Sequence, residues 1–187
     1  SRDSQAVAGP RASDGYGERE PFVIFQPGTV ATAVLLDGSE EELSSFTVTV
    51  TEYPLADAQQ YLPGSPQATG LSYGLDFSVA EAKKLGASHV EFSEPVSVYV
   101  ENFLELPVGT VLPLGYYDAQ QGQWEQGAAG HIIEILEVVD GEAVIDANGD
   151  GVAELLSELE GLGITESDLE RLAHRYKAGI QLMQGRV

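Results

Sequence analysis

The sequence predicts a mainly β fold of sandwich architecture, with a short internal helix and a C-terminal helix. Short apolar runs with period-two alternation recur along the chain, and Gly, Pro and Asx turn signals separate them. Helical spacing, by contrast, is confined to two segments. Phe46, Val48 and Val50 share one face against Thr47, Thr49 and Thr51, and Val96, Val98 and Val100 repeat the pattern. Half-buried strands alternate in this way because successive side chains point to opposite faces.

Taken in order, residues 1–20 are rich in Gly, Pro, Ser, Asp and Arg, with only Val7 and Tyr16 to bury, so a disordered tail is expected. Structure is expected to begin at Pro21. Strand signals follow at 22–25, 30–36, 46–50, 71–77, 90–92, 96–100, 111–117, 132–139 and 143–145. Asp37-Gly38 and Asp140-Gly141 are hairpin signals, and 118–122 is a connecting loop before Trp124. The segment 54–70, with its prolines and glycines, is expected to be a long loop. Ser78 and Glu81 have capping-box spacing at the start of a short helix that Gly86 ends. Thr165 and Asp168 form a weaker box before Leu169, Leu172, Ala173 and Tyr176, an amphipathic set with acids at its start and bases at its end. The organisation expected is therefore a tail over 1–20, a sandwich over 21–145, and a loop-plus-helix appendage of the same domain over 146–187.

Composition narrows the function classes. The chain has 187 residues, 43% of them apolar, and 9 basic against 30 acidic side chains give a net charge of −21. Nucleic-acid binding is disfavoured, and no nucleic-acid partner is expected, because phosphate contacts need clustered Lys and Arg. Docking on an anionic membrane is disfavoured for the same reason. No apolar run approaches the ~18 residues of a membrane span, so no membrane insertion is expected. An acid excess favours solubility, a bound cation or a basic partner. Cysteine is absent, which removes disulfides, thiolate metal sites and cysteine nucleophiles. The scarcity of Lys and Met resembles extracellular bacterial modules. The chain opens on Ser1 and carries no leader signal, as a processed or excised piece would.

The most specific motif is Asp146-Ala147-Asn148-Gly149-Asp150-Gly151. Ca2+ takes about six to eight hard oxygens, and a tight loop supplies them from alternate positions closed by a glycine. Asp146, Asn148 and Asp150 fill the first, third and fifth places, Val152 offers a backbone carbonyl, and Glu154 stands at the ninth. The twelfth place, usually a bidentate carboxylate, is Ser157; Glu154, Glu158 from a helix turn, Glu160 or a neighbouring segment would supply the missing carboxylate. The competing reading is a bare double turn, because Asn-Gly and Asp-Gly are also the best turn formers. With a metal, the loop would clip the β-body to the segment after it.

Other chemistry is thinly marked. His89, His131 and His174 lack zinc or triad spacing, and no phosphate-cradling or nucleophile-elbow motif occurs. Glu101 and Glu105 are too ordinary in so acidic a chain to indicate glycoside chemistry. The lysines, Lys83, Lys84 and Lys177, fall on helix faces, which argues against isopeptide formation. An autoproteolytic sandwich could use Ser93 after His89, or Ser44-Ser45, although the His-to-Ser spacing is too long. Tyr116, Tyr117 and Trp124 could stack on a sugar, but packing is the commoner use of such rings.

The strings "FSEPVSVYVENF" at 92–103, "LPVGT" at 106–110, "PLGYYD" at 113–118 and "QWE" at 123–125 resemble the β-rich region upstream of the YD-repeat shell in bacterial Rhs-type, teneurin-like secreted proteins. "FQPGT" at 25–29 and "VTVTEY" at 48–53 fit the same region, so the resemblance spans 21–187. More loosely, these strings are similar to ZU5-like and other immunoglobulin-like sandwiches. The resemblance implies no enzyme. It implies a structural or docking module, secreted or at the bacterial cell surface, whose partners are other domains of the same large polypeptide or a further protein. It also favours Ca2+ at the 146–151 loop.

Overall fold

The structure, a computed structural model, describes residues 3–53, 73–118 and 121–187. The fold is mainly β and its ladders are antiparallel. In chain order the strands are β1 (Gln5–Ala8), β2 (Ala12–Asp14), β3 (Gly17–Arg19), β4 (Phe22–Phe25), β5 (Ala31–Val34), β6 (Glu40–Leu43), β7 (Val48–Tyr53) and β8 (Gly74–Val79). After helix α1 (Ala80–Leu85) come β9 (His89–Phe92), β10 (Ser97–Glu101), β11 (Val111–Leu112), β12 (Gly115–Asp118), β13 (Gln123–Gln126), β14 (Gly130–Val139) and β15 (Glu142–Asp146). Helices α2 (Leu156–Gly161) and α3 (Glu166–Arg175) precede the last strand, β16 (Gln181–Arg186).

The main sheet runs β1-β4-β10-β16-β14, with β11 and β15 sharing the outer edge of β14. Alternation along these strands sorts their side chains into two sets. Ile24, Tyr99, Ile133, Ile135, Ile145 and Leu182 meet Leu159, Ile164, Leu169 and Leu172 from the α2–α3 segment. Val23, Phe25 and Val96 meet Val48, Val50, Leu75 and Phe77 of the β7–β8 hairpin, joined by Phe46 and Phe92. Farther along, Val100, Ile132 and Met183 pack against Phe103, Leu106, Val108 and Leu112. Each fully buried aliphatic side chain contributes about 1.5–3 kcal/mol to such a core. A three-stranded sheet, β6-β5-β9, packs with α1 through Ala33, Val79 and Ala82, and β2-β3, β7-β8 and β12-β13 are two-stranded pairs.

Local signals explain most element ends. The β5–β6 turn places Gly38 at φ 82° with Asp37 accepting from the Ser39 amide, and the β14–β15 turn places Asp140 and Gly141 at φ 51° and 91°. Gly86 ends α1 at φ 70° in the left-handed region, where glycine carries no Cβ penalty. The box expected at Ser78 does not form: α1 begins after Val79, and the Glu81 carboxylate instead accepts from the Thr47 amide at 2.7 Å. The run expected over 111–117 is broken at Pro113-Leu114 into β11 and β12. The long loop expected over 54–70 lies outside the described residues.

Two expectations need correction. Residues 5–19 do not form a disordered tail: β1 pairs with β4 at the sheet edge, and β2 and β3 form a hairpin. Ala6 and Val7 pack against the core, and a polar cluster fastens the end of the arm. Arg19 is only 1% exposed, forks onto Asp14 at 2.8 and 3.0 Å, and reaches Glu52 at 2.6 Å. Its guanidinium lies 4.5 Å from the centre of the Phe103 ring, and the Tyr73 hydroxyl donates to Glu52. The second correction concerns 146–187, which is not an appendage. β16 lies in the middle of the main sheet, paired with β10 on one side and β14 on the other.

Candidate functional site

The acidic loop joins β15 to α2, so it connects the sheet to the helices that cover it. β15 delivers Asp146 almost fully buried, and its carboxylate organises the turn. Asp146 Oδ1 accepts from the Asn148 and Gly149 amides at 3.1 and 2.7 Å, and Oδ2 accepts from the Gly151 amide at 2.8 Å. Asn148 Oδ1 accepts from the Asp150 amide at 2.9 Å, and Asp150 Oδ1 from the Val152 amide at 2.8 Å. The loop is a series of Asx turns, each carboxylate or amide oxygen capping a backbone N–H a few residues on.

Glu154 and Glu158 take different places. The Glu154 amide donates to Ile145 O at 3.0 Å, and its carboxylate Oε2 accepts from the Ala147 amide at 2.7 Å. Its Oε1 is buried and has no hydrogen-bond partner. Glu158 is exposed, and its Oε2 accepts from the Leu155 amide at 2.8 Å, capping α2. The loop is seated by an interlock of glycines. Gly109 and Gly149 stand at φ 83° and 84°, and a Cβ on either would come within 2.5 or 2.6 Å of a carbonyl oxygen of the other segment. The Gly109 amide donates to Ile132 O on β14, so the 107–110 turn wedges the loop against the sheet.

The donor chemistry here fits a hard cation: carboxylate, amide and carbonyl oxygens, with one buried carboxylate oxygen unused. Their arrangement is that of a self-capped turn. Among the described residues, no three His, Asp or Glu side chains stand together as a metal-holding group. Glu154 Oε1 is the loop's uncommitted buried oxygen, while Glu154 Oε2 and Asp150 Oδ1 accept from the Ala147 and Val152 amides. Val152 is exposed, and its amide donates to Asp150 Oδ1.

The other sequence candidates are scattered. His89 and Ser93 flank β9 at opposite ends, and Ser93 closes the β5–β9 ladder by exchanging bonds with Val30. Not visible beforehand was a local line in which Ser88 Oγ lies 3.0 Å from His89 Nδ1 and His89 Nε2 lies 3.4 Å from Glu91 Oε1. The Ser88 hydroxyl is committed to Val34 O at 2.9 Å, so the line reads as a strand cap. Glu101 accepts from the Glu20 amide, and Glu105 sits in a left-handed turn at φ 52°. Lys83, Lys84 and Lys177 are all exposed, whereas isopeptide chemistry needs a buried lysine. Tyr117 and Trp124 are cross-strand partners in edge contact at 5.8 Å, while Tyr116, from the other face of that hairpin, is 53% exposed.

Two features escaped the sequence reading. One is an open apolar slot of about 480 Å³ between β8, the 104–115 segment and the strands β10 and β16, floored by Val98, Val100, Met183 and Gly185. The other is Asp168, expected only as a helix cap. Its box with Thr165 does form, yet the side chain is fully buried and hydrogen-bonded to Gln26 and Ser97 as well. Its acidic type gave no hint of burial, since charged residues are rarely interior.

No protein-family model matches the chain, and no curated protein or solved structure matches it. Among the described residues, no helix is long and apolar enough to cross a membrane.

Proposed function

We propose that the chain is a non-catalytic, calcium-stabilised structural or docking module of a large secreted or cell-surface bacterial protein. The observation that carries this reading is the position of the acidic loop. It is the joint between β15 and the α2–α3 segment, so whatever stiffens it fastens the helical cover to the main sheet. Ca2+ would be held by Asp146, Asn148, Asp150 and Glu154 with the Val152 carbonyl; Glu158 would keep its helix cap. The charge of −21 suits a cation-rich medium and a module flanked by other domains of the same polypeptide or by a protein partner. Within the same proposal the architecture is an immunoglobulin-like or ZU5-like sandwich. Support comes from the two-sided packing of the main sheet, with the β7–β8 hairpin on the side away from the helices.

The test is thermal melting in EDTA, with and without added calcium, for the wild type and Asp146→Ala/Asp150→Ala. Calcium at about a hundred times its dissociation constant adds roughly 2.7 kcal/mol, a rise of several degrees for a chain of this size. The expected result is a rise in the wild type that the double variant lacks. No rise in the wild type would reduce the loop to a self-capped turn.

A further inference from the structure

Asp168 is the one wholly buried carboxyl in the described structure without a cation beside it. It projects from the first turn of α3 and is 0% exposed. Three elements meet on it. Gln26, just after β4, donates from Nε2 to Oδ1 at 3.0 Å, and Ser97 of β10 donates from Oγ to Oδ2 at 3.1 Å. The Thr165 amide donates to Oδ2 at 2.9 Å, and the Asp168 amide returns a bond to Thr165 Oγ1. Thr165 Oγ1 also donates to Gln26 Oε1 at 3.0 Å, which closes the ring. The ionisable groups facing this ring are the Tyr99 phenol from β10 and, acting on that phenol, Arg186 from β16. Burial and the Asp168 charge push Tyr99 well above its ordinary range, so it remains a neutral phenol.

We propose that Asp168 is a pH-sensitive latch between the helical layer and the main sheet, one that grips more firmly in acid and loosens as the carboxyl ionises. The geometry gives the reason. The carboxylate form carries a full charge in the core, its hydrogen-bond donors are all neutral and it has no ion pair, and a buried charge so placed is costly even when hydrogen-bonded. The protonated form carries no charge and can itself donate to Ser97 Oγ or Gln26 Oε1. Burial raises the Asp168 carboxyl above its usual value of 3.8, against the Thr165, Ser97 and Gln26 hydrogen bonds that hold it down. An acid raised on folding contributes stability that is full below the ordinary carboxylate range and is lost as pH rises through the raised folded value. The latch is independent of any cation at the acidic loop.

The test compares melting and amide hydrogen exchange between about pH 4 and 8 for the wild type and Asp168→Asn, in EDTA, with exchange corrected for its intrinsic pH dependence. The other carboxylates are common to both proteins, so the difference isolates this one. The wild type is expected to lose more Tm over that interval than the variant, with protection of the α3 amides falling more steeply. Parallel curves would overturn the proposal. A second readout does not depend on the variant folding: the Asp168 carboxyl carbon, followed by NMR in the wild type, should titrate above the ordinary Asp range. A midpoint at or below that range would also overturn it.

Discussion

The main sheet has the same strands behind both of its faces, yet the faces are finished differently. Under α2 and α3, Tyr99 of β10, Ile133 and Ile135 of β14 and Leu182 of β16 meet buried helix side chains, and Leu172 and Ile164 are wholly enclosed. On the reverse, Val100, Ile132 and Met183 are buried as well, but Val98 is only half-buried, and an open slot remains between the β7–β8 hairpin and the 104–115 segment. One face is closed by a continuous apolar cover and the other by separate pieces. Substitutions on the two faces should therefore differ in cost more than in chemistry.

The largest effect is expected on the closed face. Leu172→Ala removes an enclosed side chain and leaves a cavity with little room to collapse, at a cost of about 3–5 kcal/mol in a denaturant titration. A loss below about 1 kcal/mol would mean the helical cover is loose. Next is the polar fastening of the N-terminal arm. Arg19→Ala strands the nearly buried Glu52 without its cation, so about 3 kcal/mol of stability should be lost, with exchange protection falling first in β2 and β3. Gly149→Ala should cost about 1–3 kcal/mol, because the new Cβ meets Val108 O at 2.6 Å and the backbone sits at φ 84°. Gly185→Ala is the contrasting case and should cost under about 1 kcal/mol: its Cβ would meet the end of the Leu114 side chain at 2.7 Å, and the slot gives that side chain room to swing. Equal costs at the two glycines would mean that Leu114 beside the slot is held as firmly as the Val108 backbone.

Acid sharpens the same comparison. The Arg19 hydrogen bond, with the Tyr16 amide, holds the Asp14 carboxyl down at about 2 instead of 3.8. A carboxyl lowered on folding stabilises above the ordinary range and loses that contribution as pH falls toward its folded value. The Asp14–Arg19 fork is therefore expected to weaken between pH 4 and 2, where Asp168 holds most firmly. Exchange at the β2–β3 hairpin and at α3 should respond to acid in opposite directions.

Most of the strand framework was legible in the sequence, because period-two alternation and glycine turns are local signals. The ranges 22–25 and 96–100 fall within a residue of β4 and β10, and the Asp37-Gly38 and Asp140-Gly141 hairpins stand where turn chemistry puts them. What was hidden is whatever depends on distant partners. β1 carries little apolar surface and is held by backbone pairing to β4, so its composition looked like a tail. β6 is the acidic run Glu40–Glu42, exposed on an edge where charge is tolerated. β16 does not alternate, because Leu182, Met183, Gln184 and Gly185 are buried on both faces. At the acidic loop the sequence identified the residues and their turn-forming capacity, but not that their oxygens are spent on backbone amides. Asp168 was legible as a cap and illegible as a core residue, since its hydrogen-bond partners Gln26 and Ser97 lie far away in the chain.

The central position of β16 has a consequence for the order in which the molecule can be made. β10 and β14 do not pair with each other; each pairs with β16, the last of this sheet's strands to be synthesised. Until residues 181–186 emerge, the nascent chain holds two half-sheets with unpaired inner edges, and nothing between them for the helices to cover. Such non-local closure is slow and leaves strand edges exposed to neighbouring chains. Chains stalled shortly before residue 181 should keep the main sheet protease-sensitive, and emergence of residues 181–186 should convert it in a single cooperative step.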